Sequence, residues 1–376
     1  MAHESLPRLV RKLTSHYTAT WFNASGNPPL FHRRFSLQEQ RQREKQIDAL
    51  RHKEPLVRKQ VMAFIAHEIQ GQAGARLRRF LEDCGRAGEK FVEQARKFDP
   101  NLCDADIEQA LRNVWVFNSL QFYLDKPVSL TPSAFAYSLL YPYTDNCLDG
   151  KGEPGRGRQA LLRWLTLQLS GRPEPADDSK KAALSLLLGM IRKEHPRSRR
   201  PDVHESLLAI HQAQQKGLQL HGSGAGKTEH GLIPLTIAKG GASVLVDGFL
   251  AGRLDDNQID AVFGYGVLLQ LVDDLQDLQE DVDGGQSTPF SRAIRHGTLE
   301  GITNRLFNLS SALARQLKMK ESSHSGNVSM MVERSCMLLI QEAIAHHSHL
   351  YRKGYLRYLK EFMPVRLRYL RTVRSR

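Results

Sequence analysis

The chain has 376 residues, of which 41% are hydrophobic and 25% charged, a globular balance that excludes wholesale disorder. Lysine and arginine exceed aspartate and glutamate by 13, which favours an anionic partner such as a phosphorylated metabolite, a membrane surface or nucleic acid. The four cysteines are scattered, as is typical of reduced thiols. The N-terminus lacks the apolar core of a signal peptide, and no run reaches the ~18 apolar residues of a membrane span. We therefore expect a cytoplasmic protein.

Helical periodicity runs through almost the whole chain. Apolar residues recur at three- and four-residue steps, as at Val61, Phe64, Ile65 and Ile69, whereas strand-like alternation is hard to find. Connections are short and composition does not shift sharply between them, so the sequence predicts one all-α domain over residues 1–376. Residues 1–55 are expected to form peripheral helices, and the highly charged stretch 32–55 to be solvated.

The first acidic cluster lies at the end of an apolar helix. Thr131 and Pro132 predict its start, as an N-cap and a first-turn residue. Asp145 and Asp149 are four residues apart, so they project from one helix face. Pro142 interrupts the helix one turn before them, and functional sites often break local rules in this way. The same face carries, toward the N-terminus, Tyr141, Ser138 and Tyr137.

The second acidic cluster ends another apolar helix. Asp273, Asp277 and Asp281 recur at i, i+4 and i+8, with Asp274 beside them. Like charges at this spacing destabilise a helix by ~0.2–0.5 kcal/mol per pair, so a hard divalent cation is the natural compensation. Taken alone, the cluster is equally typical of a solvated acidic helix end. Two such clusters in a basic protein favour Mg²⁺ ions that bind the phosphates of a substrate.

These motifs resemble those of the class I isoprenoid synthases, which include terpene synthases, trans-prenyl elongating enzymes and head-to-head squalene or phytoene synthases. Residues 145–149, Asp-Asn-Cys-Leu-Asp, are similar to the first aspartate-rich motif of that family. Residues 269–277 are similar to the second aspartate-rich helix of the elongating enzymes. Asp273, Asp277 and Asp281 also fit the three ligand places of the metal motif in terpene cyclases.

Two further pairs resemble the diphosphate contacts of the family. Lys227-Thr228 is similar to the Lys-Thr pair of elongating enzymes, and Arg357-Tyr358 to the Arg-Tyr pair of bacterial terpene cyclases. The Gly-Gly-Lys-x-x-Arg-Pro segment that binds isopentenyl diphosphate in elongating enzymes does not occur upstream of Asp145. The resemblance therefore favours cyclisation, or another ionisation-led reaction of a single prenyl diphosphate, over chain elongation.

The resemblance implies a large helical bundle with a central apolar cavity and several Mg²⁺ ions. The implied metal ligands are Asp145, Asp149, Asp273, Asp274, Asp277 and Asp281, of which Asp145, Asp149, Asp273 and Asp277 are also the catalytic group. The implied cavity residues are Tyr137, Ser138 and Tyr141, for which core packing is the alternative interpretation. The implied activity is that of a terpene synthase, which cyclises or quenches the carbocation of a prenyl diphosphate of C15 or longer. Elongation and head-to-head coupling remain alternatives, and homodimers are common in the family.

A non-enzymatic alternative is a basic helical protein that binds a membrane surface or nucleic acid. Aromatic and basic residues alternate in the amphipathic C-terminal segment 351–376, as they do in interfacial or single-strand-binding helices. A pure binder has no use for two carboxylate clusters, which repel phosphates unless metals intervene. We therefore expect no nucleic-acid partner, and peripheral membrane contact through the basic C-terminus.

Overall fold

The computed structural model describes residues 5–31, 33–53, 75–148, 156–221, 228–320 and 328–372. Every regular element in these ranges is helical, which confirms the all-α prediction. The helices are α1 (Leu6–Asn23), α2 (Leu37–Lys53), α3 (Ala75–Phe98), α4 (Asp104–Tyr123), α5 (Pro132–Leu148), α6 (Arg156–Leu169), α7 (Ser179–Glu194), α8 (Pro201–His221), α9 (Glu229–Ala251), α10 (Asp256–Gln276), α11 (Leu278–Asp283), α12 (Pro289–Arg295), α13 (Leu299–Lys320), α14 (Val328–His346), α15 (Lys353–Lys360) and α16 (Leu367–Arg371).

Helix α5 begins where the sequence predicts. The Thr131 hydroxyl accepts a hydrogen bond from the Ala134 backbone N–H at 3.1 Å, and Pro132 occupies the first turn, where no N–H is needed. The helix continues through Pro142. Its backbone therefore carries the first acidic motif up to residue 148, and Asp149 lies outside the described residues.

Helix α9 is the one helix of the described ranges that is long and apolar enough to cross a membrane. The expectation that no segment could do so rested on uninterrupted apolar runs and missed this helix. Within its most apolar window, 67% of the residues are buried in the protein. A single helix that is mostly buried is also typical of a protein core, so it is only a weak indication of a span.

Contacts divide the chain into two compact units. The first comprises Met1–Lys12, Arg79–Gln219 and Gly241–Phe263. Within it, α5 packs against α4 and α7. The fully buried apolar side chains of these three helices include Val114, Phe117, Leu139, Leu184 and Leu187. This packing fixes the position of α5, which carries the first acidic motif.

The second unit comprises Leu13–Arg78, Leu220–Gly240 and Gly264–Arg376. In it, α14 packs against α13 and α16, and α12 against α11 and α13. The fully buried side chains of the second unit include Tyr17, Trp21, Leu306, Phe307, Ile340 and Ile344. The second acidic motif lies in this unit, at the end of α10 and in α11.

Helix α2 differs from the prediction of a solvated helix because one of its faces packs inside the second unit, to which it belongs. Ile47 is fully buried, and Gln40 donates to the backbone carbonyls of Lys360 and Met363 at 2.9 and 2.8 Å. The carboxylate of Glu44 accepts two hydrogen bonds from Arg366 Nε, each of 2.9 Å. The charge of this helix is therefore partly used to hold the C-terminal segment.

Candidate functional site

The second acidic motif spans a break between two helices. Helix α10 ends at Gln276, and Asp277 precedes α11, whereas the sequence predicted one continuous helix. The backbone N–H of Asp277 still donates to the Asp273 carbonyl, and that of Asp281 to the Asp277 carbonyl, both at 2.9 Å. The three carboxylates therefore keep their spacing of one turn each despite the break.

Asp274 is buried and hydrogen-bonded to two neighbouring side chains. Gln270 donates to Oδ1 at 2.8 Å, and the Thr236 hydroxyl on α9 donates to Oδ2 at 3.3 Å. Burial raises the pKa of Asp274 to about 7, and the positive charge of Lys239 opposes that shift. The predicted additional metal ligand is thus engaged by polar groups of α9 and α10.

Asp281 is also buried and has a perturbed pKa. Burial raises the pKa of this carboxyl to about 6, while a hydrogen bond from Thr288 lowers it. The charges of Asp273 and Asp277 add to the upward shift, and Lys239 opposes it. Negative charge at this helix end is therefore only partly compensated by the neighbouring protein groups.

The acidic motif fits Mg²⁺ in its donor chemistry. Among the residues that the structure describes, no three His, Cys, Asp or Glu side chains converge into a group that could hold a metal ion. Mg²⁺ is commonly bound by one or two carboxylates together with substrate phosphates and water, so a diphosphate would have to complete such a site. Asp273, Asp277 and Asp281 supply oxygen donors of the required kind.

Helix α5 lines an apolar pocket within the first unit. Helices α5, α6, α7 and α8 line the pocket, which is open to solvent at its mouth. Its apolar lining residues are Leu140, Leu165, Leu169, Leu188, Leu207 and Ile210, and its other lining residues are Tyr137, Thr144, His211 and Gln214. Thr144 immediately precedes Asp145 in the sequence, so the pocket wall reaches the first acidic motif.

The polar groups of the pocket wall are largely satisfied within the protein. The Tyr137 hydroxyl donates to the Ser243 carbonyl at 2.9 Å, and the Thr144 hydroxyl to the Leu140 carbonyl at 2.7 Å. His211 shares a 2.9 Å hydrogen bond with the Thr166 hydroxyl, and burial lowers the pKa of its ring. The pocket therefore presents mainly hydrocarbon and one imidazole ring to a guest molecule.

The sequence-predicted cavity residues have different environments. Tyr137 lines the apolar pocket of the first unit. Ser138 is fully buried and accepts a 3.1 Å hydrogen bond from Asn113 of α4. The side chains of Tyr141 and Asp145 lie outside what the structure describes.

A buried polar cluster next to Ser138 was missed by sequence reasoning. Asn113 also donates to Oδ1 of Asp247 on α9 at 3.0 Å. Asp247 is fully buried, and burial raises its pKa well above the usual range. The signal that could have found it is a lone acid in the apolar run Val244–Leu250.

The predicted diphosphate contacts are only partly described. Lys227 lies outside the described residues, and Thr228 is an exposed residue directly before α9. Arg357 is exposed on α15. The Tyr358 hydroxyl donates to the Pro29 carbonyl at 3.1 Å, so this group already has a partner in the protein.

A second group that the sequence did not indicate lies at the start of α9. Glu229 Oε1 accepts hydrogen bonds from Arg305 Nη1 at 2.6 Å and from the Trp21 indole at 3.1 Å. The Arg305 guanidinium lies 5.6 Å from the centroid of the Trp21 ring. These contacts hold α1, α9 and α13 together at Glu229, which directly follows Thr228 in the sequence.

Comparisons with known proteins find little at the level of sequence. No known family and no curated protein matches the chain. A search of solved structures finds a crystal structure of a dehydrosqualene synthase in complex with ligand, with a TM-score of 0.41 and 14% identity. The match covers 80% of this chain and 98% of that one. A similarity this weak does not assign a function to any residue of this chain.

Proposed function

We propose that the protein is an enzyme of the class I isoprenoid synthase kind that ionises a prenyl diphosphate with the help of Mg²⁺. The observation that carries the proposal is on α5, where the apolar pocket wall of Tyr137, Leu140 and Thr144 leads directly into the acidic motif that begins at Asp145. A prenyl diphosphate has the same division, with a hydrocarbon chain joined to a highly charged head.

The lining of the pocket suits the hydrocarbon part of such a substrate. Mg²⁺, when bound, would neutralise the diphosphate and make it a leaving group. The carbocation that remains is destroyed by water, so its surroundings must exclude water and offer no free nucleophile. The leucine side chains of the wall offer water no hydrogen-bond partner, and the hydroxyls of Tyr137 and Thr144 already donate to backbone carbonyls.

The acidic groups of both motifs would hold the metal ions. Asp145 and Asp149 are the proposed ligands of the first motif, and Asp273, Asp277 and Asp281 are those of the second motif. Lys227 and Thr228 are the proposed diphosphate contacts, together with Arg357 and Tyr358. The preferred reaction is that of a terpene synthase acting on a substrate of C15 or longer.

Head-to-head coupling of two prenyl diphosphates is the second candidate. The sequence repeats the same Asp-x-x-x-Asp pair, at Asp145 and Asp149 and again at Asp273 and Asp277. Two sets of carboxylates would suffice for the metal ions of two diphosphates as well as for those of one. A coupled product has twice the carbon number of its substrate, whereas a terpene synthase product keeps that number.

The test is an incubation of the full-length protein with C10 to C30 prenyl diphosphates, in Mg²⁺ or in EDTA. Pyrophosphate release and extracted hydrocarbons are measured together. Mg²⁺-dependent release with a product of unchanged carbon number supports the terpene synthase, and a doubled number supports coupling. Longer diphosphates formed only with isopentenyl diphosphate would assign elongation, and no release from any substrate would contradict all three.

Substitution of one carboxylate in each motif tests the assignment of the site. Asp145→Asn and Asp273→Asn should each reduce turnover by about 100-fold or more, because each removes a charge that stabilises the departing diphosphate through the metal. Asp256→Asn is the matched control, since Asp256 is an exposed acid at the other end of α10. Turnover that survives in either motif variant would remove that motif from the site.

A further inference from the structure

An exposed leucine lies on a fixed loop of the second unit. Leu30 follows Pro28 and Pro29 and is 90% exposed. The backbone on its N-terminal side is held by Asn304, whose side chain donates to the Gly26 carbonyl at 3.0 Å. The Tyr358 hydroxyl holds the Pro29 carbonyl at 3.1 Å. Leu30 is therefore presented to solvent by a backbone that hydrogen bonds hold in place.

The residue after Leu30 anchors the loop from the other side. The Phe31 ring stacks on Phe362, with ring centroids 5.0 Å apart, and meets the edge of Phe307 at 5.4 Å. The Phe35 backbone N–H donates to the Glu361 carbonyl at 2.7 Å. The aromatic side chain of the loop thus packs inward, and its leucine is left outside.

The helix that holds this loop has a basic exposed face. Lys353, Arg357 and Lys360 of α15 are spaced by four and three residues, so they share one face, and all three are exposed. Arg34, with a side chain 76% exposed, pairs with Glu361 at 3.5 Å, and such an exposed pair is weak. Residues 28–35 and 353–361 together carry five basic residues and one acid, a net charge of 5 − 1 = +4.

We propose that this surface, formed by Leu30, Arg34, Lys353 and Lys360, docks the protein on an anionic lipid bilayer. Lysine and arginine near such a surface are attracted by its negative potential, and an exposed leucine can enter the boundary between headgroups and acyl chains. A nucleic acid would use the positive charge but not the leucine, because nonspecific binding to a phosphate backbone is electrostatic. The proposal does not depend on the activity of the protein.

Vesicle flotation of the full-length protein tests the proposal. Vesicles of phosphatidylcholine alone are compared with vesicles that contain phosphatidylglycerol, and binding is expected to the anionic vesicles only. Lys353→Gln with Lys360→Gln should weaken that binding about 25-fold, since each cation near the surface contributes about fivefold. Leu30→Ser should weaken it by up to about tenfold, through loss of an apolar contact. Arg357 is left unchanged because it is also a proposed diphosphate contact.

Matched controls separate this surface from the general positive charge of the protein. Leu186→Ser removes another exposed leucine, and Lys180→Gln with Lys193→Gln removes two exposed lysines of α7. Both controls should bind anionic vesicles like the unchanged protein, and all variants should keep its melting temperature. Turnover measured in detergent should be the same for Leu30→Ser as for the unchanged protein, which separates docking from catalysis.

Three results would overturn the proposal. The first is equal binding to neutral and anionic vesicles. The second is an equal loss in the α7 controls. The third is normal vesicle binding by Leu30→Ser, together with a lysine variant that loses binding both to vesicles and to a DNA oligonucleotide. That result would mean that the surface binds polyanions in general.

Discussion

Asp247 is a carboxylic acid buried in the middle of the apolar helix α9. Asn113 donates to Oδ1 at 3.0 Å, and Oδ2 has no hydrogen-bond partner in the part of the chain that the structure describes. Burial raises the pKa of this carboxyl well above its usual range, so the folded protein binds the proton more tightly than the unfolded chain does. The free energy of unfolding must therefore decrease as the pH rises from the unfolded-state pKa, about 3.9, to the raised folded-state pKa.

Asp247→Asn should remove this loss of stability. Asparagine has nearly the same shape and keeps an oxygen that can accept from Asn113, but it carries no titratable charge. Relative to the unchanged protein, the free energy of unfolding of the variant should increase by up to about 1.4 kcal/mol for each pH unit between those two pKa values. Urea unfolding from pH 4 to pH 8 measures the difference. Parallel pH profiles for the two proteins would contradict the prediction, and Asp256→Asn serves as an exposed control.

The sequence reveals groups whose members are close together along the chain, and it does not reveal groups whose members are far apart. Asp273, Asp277 and Asp281 stand out because their relation is local, one helical turn after another. Asp247 and Asn113 are 134 residues apart in the chain, so their hydrogen bond exists only once α4 and α9 are packed. The pairing of Tyr358 with Pro29, 329 residues away, was hidden for the same reason.

Helices α9 and α10 approach closely in the second unit at a pair of glycines. A Cβ at Gly240 would lie 2.4 Å from the Gln270 Cβ and 2.5 Å from the Gly266 carbonyl oxygen. Contacts this short cannot be relieved by turning a flexible side chain, because they involve backbone and a Cβ atom. This approach positions the segment of α10 that leads to Asp273 and Asp274.

Gly240→Ala should therefore destabilise the protein by about 1–3 kcal/mol, the usual cost of overpacking a core. Gly189→Ala is the matched control, because Gly189 also lies inside a helix and nothing is within 4 Å of an added Cβ. That control should be neutral or stabilising by ~0.5–1 kcal/mol, since alanine favours helix. Chemical denaturation of the two variants gives the comparison. An equal effect of both substitutions would mean that α9 and α10 do not pack this tightly.

At the scale of elements, the sequence predicted helices better than their interruptions. Apolar periodicity identifies the helical fold, and the pair Thr131-Pro132 identifies the start of α5. The break at Asp277 carries no glycine or proline, and its backbone hydrogen bonds continue on both sides. Nothing in the local composition could therefore have marked it.

At the scale of the whole molecule, the sequence could not reveal the two compact units. The chain enters each unit more than once, with segments such as Met1–Lys12 and Gly241–Phe263 belonging to the first. Composition changes little at these boundaries, so the usual signals of a linker are missing. The net charge of +13, by contrast, is a property of the entire chain and can be read directly from the sequence.

Because the protein has this net positive charge, diphosphate binding supports the proposed site only if the binding depends on Mg²⁺. A basic protein attracts pyrophosphate through charge alone, but carboxylate motifs repel it unless a divalent cation intervenes. Mg²⁺ and pyrophosphate together should therefore raise the melting temperature by ~3–6 °C, and either one alone by clearly less. A ligand at 100 times its dissociation constant stabilises the folded state by about 2.7 kcal/mol, which is a shift of this order.

Differential scanning fluorimetry of the full-length protein measures this shift, in Mg²⁺ and in EDTA. Asp273→Asn should lose most of the combined effect because it removes a proposed ligand of the metal. Asp256→Asn should retain it, since that exposed acid lies at the other end of α10. A shift of the same size in EDTA would mean that pyrophosphate binds to basic side chains alone. In that case the acidic motifs would have no part in holding the diphosphate, and the proposed site would be wrong.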